Sequence, residues 1–138
     1  MTRSLQYVSN IGRNGCSETV SQKEGFSMKS KLQKAFEQEM SLAKNMYKTQ
    51  DYSKCYYHLE RAHILGQRHY LPHVLNHFWM FKVAVKKRDL RETFGQIARM
   101  IMSVGSIFGT VPLGNTGRAR ISPIKPMPIP SDLQAFFE

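Results

Sequence analysis

Residues 51–77 read DYSKCYYHLERAHILGQRHYLPHVLNH and decide the fold of this 138-residue chain. Asp51 is suited to cap a helix, and Gly66 is a typical stop signal at its far end. Pro72 suits the first turn of a following helix, because its missing N–H would have no intrahelical partner there. The stretch therefore predicts a helical hairpin whose first helix runs to about Leu65.

Two more helices flank this hairpin. From about Ser30 to Thr49, apolar residues recur at three- and four-residue spacing, which marks one face of a helix. The hairpin's second helix runs to about Lys87, and Asp89 with Glu92 then resembles the capping box that begins a fourth helix, ending near Gly105. On that fourth helix we expect a buried stripe made of Phe94, Ile97, Ala98, Ile101 and Met102.

The chain repeats itself at its turns. Gln50-Asp51-Tyr52 and Arg88-Asp89-Leu90 are matching turns that lie 38 residues apart. The match to a tetratricopeptide repeat is partial, since that repeat is usually about 34 residues long and needs more copies. We therefore predict an all-α fold of two antiparallel helical hairpins, arranged as a tetratricopeptide-like stack or a four-helix bundle.

The ends of the chain differ from the centre. Residues 1–28 have no hydrophobic period and are predicted to be a flexible N-terminal extension of the helical domain at 29–105. Residues 106–138 are predicted to be an extended segment that wraps the domain. The backbone of this segment is held extended, in the polyproline manner, by Pro123, Pro126, Pro128 and Pro130.

Charge and composition narrow the classes of function. The formal charge is +10, and residues 29–105 carry fourteen basic and six acidic residues. A basic helical body can attract nucleic acid or acidic partners, and Lys86-Lys87-Arg88 is the best feature for such binding, although a solvated surface is the simpler interpretation. No apolar run approaches a membrane span, and residues 1–20 lack the hydrophobic core of a signal peptide, so we expect a cytoplasmic protein. Cys16 and Cys55 form no CxxC pair, which argues against a thiolate zinc site.

All five histidines fall between residues 58 and 77. His73 and His77 are four apart on one predicted helix, so their rings project from the same face. His63 lies near the end of the preceding helix and is separated from them by a short turn. These three imidazoles are predicted to converge on one transition metal ion, with zinc, iron, copper and nickel all compatible with the ligand type.

A carboxylate is the expected fourth ligand. Glu39 lies twelve residues before Asp51, as His77 lies twelve before Asp89, so both should face inward. Glu60 forms a Glu-x-x-His pair with His63, and either glutamate is a candidate oxygen ligand. A complete di-iron site would need two such pairs and two further carboxylates.

The remaining two histidines are weaker candidates. His69 lies in the interhelical turn, where capping the next helix is the expected role. His58 is about 140° from His63 around an ideal helix and should face elsewhere.

Three longer motifs resemble a known family. They are HLERAHILGQRH at 58–69, GNTGRA at 114–119 and the PMPIPxDL pattern at 126–133. Over roughly residues 32–136 the chain resembles a family of small bacterial helical proteins of unknown function. Some members are encoded beside heavy-metal resistance genes, so the resemblance implies a metal without assigning an activity.

Besides nucleic-acid binding by the basic helical body, three functions stay open from the sequence. The first is a metal-binding helical protein that acts in metal handling or resistance. The second is a metal-free, tetratricopeptide-like module that binds a protein partner and uses the histidines as a buried hydrogen-bond network. The third is a metal-dependent enzyme, for which the sequence offers no substrate. The oligomeric state is not predicted.

Overall fold

The computed structural model describes residues 28–138, and all its regular elements are helical, which confirms the predicted all-α class. The predicted extension at 1–28 lies outside the described residues, apart from Met28. The main helices are α1 (Ser30–Lys48), α2 (Tyr52–Gly66), α3 (Tyr70–Lys86) and α4 (Leu90–Met102). A 3-10 helix (Ser103–Phe108) and a short helix α5 (Ser131–Gln134) complete the set.

The two hairpin turns are alike in conformation as well as in sequence. Gln50 and Arg88 both adopt positive φ angles, of 62° and 55°. In the first turn the Asp51 side chain accepts a hydrogen bond from the Lys54 backbone N–H at 3.1 Å. In the second turn Asp89 accepts the equivalent bond at 3.0 Å. The structure therefore confirms that the same turn is used twice.

The predicted capping box at the start of α4 is only half formed. Asp89 accepts from the backbone N–H of Glu92, as expected. The Asp89 N–H, however, donates to the carbonyl of Ala84, which leaves no role for the Glu92 side chain at this end of the helix. Glu92 instead turns into the protein and is fully buried.

The apolar core lies between α1, α2 and α3. The extensive contacts join helices that follow one another in sequence, as in a stack of hairpins. The C-terminal segment adds to this core through Leu133, which is 1% exposed. Other fully buried apolar side chains of this core are Ala43, Leu59, Leu65, Met80 and Val83.

The prediction for the buried face of α4 was wrong. Phe94, Ile101 and Met102 are 66%, 71% and 53% exposed, and Ile97 and Ala98 are also exposed. The buried face of α4 is instead polar, because it lies against α3 and the loop that follows the 3-10 helix, where it supplies hydrogen bonds. It consists of Glu92, Gln96 and Arg99 and continues at Ser103.

Candidate metal centre

The structure brings three of the five histidines together. His63 at the end of α2 and His73 and His77 on α3 are 2%, 6% and 1% exposed. Their Nε2 atoms face one another: the His63–His77 separation is 3.2 Å and the His77–His73 separation is 3.0 Å. One ligand atom from each residue lies within 4.8 Å of the others, an arrangement that suits a single metal ion.

The tautomer of His63 is fixed by the backbone. Its Nδ1 lies 2.7 Å from the carbonyl oxygen of Asn115. A carbonyl oxygen can only accept, so Nδ1 carries the proton and the neutral ring presents a lone pair at Nε2.

The tautomer of His77 is fixed by α4. Its Nδ1 lies 2.7 Å from Oε1 of Gln96. The Gln96 amide nitrogen donates to a carboxylate oxygen of Glu92 and to the carbonyl of Gly117, so the amide orientation is determined. The Nδ1 of His77 is therefore the protonated nitrogen, and its Nε2 also presents a lone pair.

These tautomers leave the cluster one donor short. Two lone pairs face each other across 3.2 Å at His63 and His77. An N–H from His73 can satisfy His77, but Nδ1 of His73 would then be a buried acceptor, and it has no hydrogen-bond partner within the described residues. Unpaired buried polar atoms cost about 1–3 kcal/mol each. A cation bound to all three Nε2 atoms removes the opposed lone pairs, and Nδ1 of His73 then carries a proton without a partner in the described residues.

The spacing of the nitrogens matches a small coordination sphere. Zinc–imidazole bonds of about 2.0–2.1 Å in tetrahedral geometry hold the nitrogens about 3.3 Å apart. The observed separations of 3.0 and 3.2 Å are close to this value. Hydrogen bonding of the distal ring nitrogen to a carbonyl or an amide is also typical of metal-binding histidines. The cluster therefore has ligand atoms close enough together to hold one transition metal ion.

Burial keeps the three rings neutral. Desolvation, with smaller contributions from the neighbouring His73 ring and Arg99, lowers the pKa of His77 to about 3. Desolvation likewise lowers the pKa of His73 to about 4 and that of His63 well below its ordinary value. Neutral imidazole is the form that binds metals, so the rings are ready to act as ligands at neutral pH.

The loop that contains Asn115, whose carbonyl is the partner of His63, is held together by the Asn115 side chain. The Asn115 side chain donates to the carbonyls of Ser122 and Lys125 and accepts from the Gly117 N–H at 3.0 Å. Gly117 has a φ of 81°, and a Cβ atom there would lie 2.7 Å from the His63 ring. Only glycine allows the loop to approach the ring this closely.

The predicted ligand Glu39 lies elsewhere. Its carboxylate accepts from Arg61 at 2.7 Å and lies 2.7 Å from Nδ1 of His58. Arg61 also donates to Asp132 in the C-terminal segment. Glu39 and His58 thus belong to an ion-pair group that joins α1, α2 and the C-terminal segment, and the structure does not bring them to the three histidines.

Glu60 is also held apart from the three histidines. It accepts from Arg118 at 2.9 Å, and the same guanidinium donates to Glu92 at 3.0 Å. Arg118 further lies over the ring of Tyr56, 3.7 Å from the centroid. No carboxylate lies among the grouped candidate ligands in residues 28–138.

His69 occupies the N-cap position of α3, where we expected its side chain to cap the helix. The structure gives this side chain no capping hydrogen bond, so that expectation was wrong. Its backbone carbonyl accepts a hydrogen bond from the N–H of His73, in the first turn of α3.

Several residues of the site were missed by the sequence analysis. Gln96 and Asn115 fix the histidine tautomers, and Glu92 anchors Gln96. A signal was present in the sequence, because polar residues on α4 recur at spacings of four, three and four. These residues are Glu92, Gln96, Arg99 and Ser103.

Fold and site together define a small all-α protein with a buried three-histidine cluster. The chain belongs to a family described as Protein of unknown function (DUF3703), whose model matches residues 30–137. This confirms membership of a family of unknown function. No curated protein and no solved structure matches the chain significantly. Within residues 28–138, none of the helices is both long and apolar enough to cross a bilayer.

Proposed function

We propose that the protein binds one transition metal ion through Nε2 of His63, His73 and His77, and that it acts in metal handling or resistance. The observation that carries the proposal is the pair of opposed lone pairs at His63 and His77, 3.2 Å apart. Three imidazoles without an oxygen ligand favour zinc, copper, nickel or iron over calcium or magnesium. Some members of the family that the chain resembles are encoded beside heavy-metal resistance genes, which agrees with such a role.

The test is elemental analysis of protein purified without a histidine tag. We expect about one metal ion per chain, and a lower melting temperature after chelation. The variant His77→Leu should lose the metal, and His73→Asn should do so with less disturbance of the fold. His58→Asn is the matched control, because His58 lies outside the cluster. Metal content that is unchanged in both cluster variants would overturn the proposal.

We also propose a second function, self-association through the outward face of α4 and the 3-10 helix. Along α4 this outward face has apolar side chains at spacings of four and three residues, the pattern of a helix-pairing seam. Exposed apolar side chains continue on the 3-10 helix and bring the set to six. They are 38–76% exposed. The six are Leu90, Phe94, Ile97, Ile101, Val104 and Phe108.

Area and charge both favour a second copy of this chain as the occupant. With about 150–250 Å² for a large side chain, the exposed fractions amount to on the order of 800 Å², the area that each partner buries in a standard interface. Arg91 is the only exposed charged residue between positions 90 and 108, so this stretch brings few like charges together when a strongly basic chain meets its copy there. Antiparallel pairing would place Arg91 near the carbonyl end of the partner's α4, which favours a cation.

Sedimentation equilibrium over a range of concentrations tests this second proposal. We expect a reversible dimer that Ile101→Glu and Phe94→Glu convert to a monomer. Val85→Glu is the control, since Val85 is 49% exposed on α3. A wild-type chain that stays monomeric at high concentration overturns the proposal, whether the face stays free or binds a different protein.

A further inference from the structure

A cavity of about 140 Å³ lies beside the three histidines. His63, His73 and His77 form one side of it and Arg99 contributes a guanidinium. The rest of the wall is uncharged and mostly apolar, with Val111, Pro112 and Ile124 among its residues, and no aspartate or glutamate lines it. The cluster thus faces a small space that contains a positive charge and no negative one.

The two nearby carboxylates share one guanidinium, that of Arg118. Glu92 is the nearest in the hydrogen-bond network, and it is separated from His77 by the Gln96 amide and accepts from Arg118. Glu60 is also paired with Arg118. A divalent ion on three neutral imidazoles and the guanidinium of Arg99 would together place three positive charges beside the cavity. The one negative charge that Glu60 and Glu92 keep after pairing with Arg118 offsets only part of them. Uncompensated buried charge is strongly unfavourable.

Arg99 is held in position by the loop. It is 8% exposed, and its Nη2 donates to the carbonyls of Arg118 and Ile121. Ser103, one turn further along, donates from its hydroxyl to the Arg99 carbonyl at 2.7 Å. A planar guanidinium has five N–H donors, so groups beyond Nη2 can bind an anion in the cavity.

We propose that this cavity binds a small anion, which completes the coordination of the metal and pairs with the guanidinium of Arg99. The inference rests on the proposed metal site. The cavity is well below the roughly 300 Å³ at which sites for drug-sized ligands begin. The anion is therefore of the size of bicarbonate, azide or a short carboxylate, and nucleotides are excluded.

The experiment uses the full chain loaded with Co²⁺, whose visible spectrum reports on its ligands, and azide as the probe. We expect azide to change the spectrum saturably. Arg99→Gln should weaken azide binding roughly tenfold to a hundredfold, the range of a charge-assisted hydrogen bond, while Co²⁺ stoichiometry stays the same. Arg99→Lys should keep part of the affinity. Arg91→Gln, at an exposed position of α4, is the matched control and should bind azide as wild type does.

A second variant avoids the buried position of Arg99. Ile124 lines the cavity and is 78% exposed, so Ile124→Glu should fold normally and weaken azide binding by repulsion. Val85→Glu adds the same charge away from the cavity and should have no effect.

The outcomes separate the two proposals. Absence of stoichiometric Co²⁺ overturns the metal site and the anion site together. If Co²⁺ is bound but its spectrum does not change when azide is added, the anion site alone is overturned. Azide affinity that is unchanged in both Arg99→Gln and Ile124→Glu also overturns the anion site, since the cavity would then not be where azide binds.

Discussion

In α4 the polar face is buried and the apolar face is exposed, which is the reverse of an ordinary amphipathic helix. The inward face presents Glu92 and Gln96, both fully buried, whereas the outward face presents Phe94 and Ile101, both more than 60% exposed. The inward face is polar because it hydrogen-bonds His77 and the loop around Gly117. Hydrophobic periodicity thus identifies the faces of a helix, while the neighbouring groups decide which face is buried.

The largest expected effect on the free energy of unfolding comes from replacing Glu92, the buried carboxylate of the inward face. Glu92 accepts from Gln96, Arg118 and the Ala119 N–H through one buried oxygen. Glu92→Leu would leave the guanidinium of Arg118 without this buried partner, and breaking a buried ion pair costs about 3–5 kcal/mol. We expect a loss of this size in the free energy of unfolding, measured by urea denaturation.

The control for this change is Glu37→Leu on α1. Glu37 is exposed, and within residues 28–138 its carboxylate accepts only from the Gln33 side chain, at 2.9 Å. We expect its replacement to change the free energy of unfolding by less than about 0.5 kcal/mol. Similar losses in both variants would show that the buried carboxylate has no special role.

Gln96→Leu tests what the inward face does for the metal. The leucine fills a similar volume but removes the acceptor that fixes the His77 tautomer. Loss of such a partner typically lowers metal affinity about tenfold to a hundredfold. Competition with a chromophoric chelator measures the affinity, and Gln38→Leu, at an exposed position of α1, is the control. Undiminished affinity would mean that Gln96 does not position the ring.

Gly117→Ala tests how closely the loop approaches the inward face and the His63 ring. The new Cβ would lie within 3 Å of three ring atoms, at a φ of 81°. We expect a loss of about 2 kcal/mol in the free energy of unfolding. Gly109→Ala is matched in conformation, with a φ of 67° and no atom within 4 Å of the added Cβ. It should cost less, and equal losses would assign the whole effect to backbone strain.

The pH dependence of the metal-free protein tests the neutral state of the cluster. The folded pKa of His73, about 4, lies below the ordinary value of 6.5, so the unfolded chain binds a proton that the folded chain does not. Stability in chelator should therefore fall as the pH is lowered from 7 to 5.5. His73→Leu should reduce that fall by about 1 kcal/mol. An equal fall in the variant would contradict the assignment.

Much of the fold could be predicted from local signals, but only part of the site. Asp51, Gly66 and Pro72 mark helix ends through backbone hydrogen bonding, which depends on few neighbours. The convergence of His63 with His77 followed from helical periodicity and a short turn. The partners Gln96 and Asn115 could not be assigned, because their positions depend on how α4 and the later loop pack. Packing also explains why the prediction of Glu39 as a ligand did not hold. Its carboxylate lies beside Arg61 and accepts a hydrogen bond from that guanidinium.

The smallest expected effect is on the outward face. Phe94 is 66% exposed, so little of its surface would be returned to water on mutation. In dilute protein, where self-association is negligible, we expect Phe94→Ser to change the free energy of unfolding by no more than about 0.5 kcal/mol. A loss above about 2 kcal/mol would mean that this side chain is buried against the same chain, and the contrast between the faces would fail. A loss that grows with protein concentration would instead place Phe94 between two copies, since association stabilises the folded state by mass action. A substitution on the outward face is thus distinguished from one on the inward face by whether its effect on the free energy of unfolding depends on protein concentration.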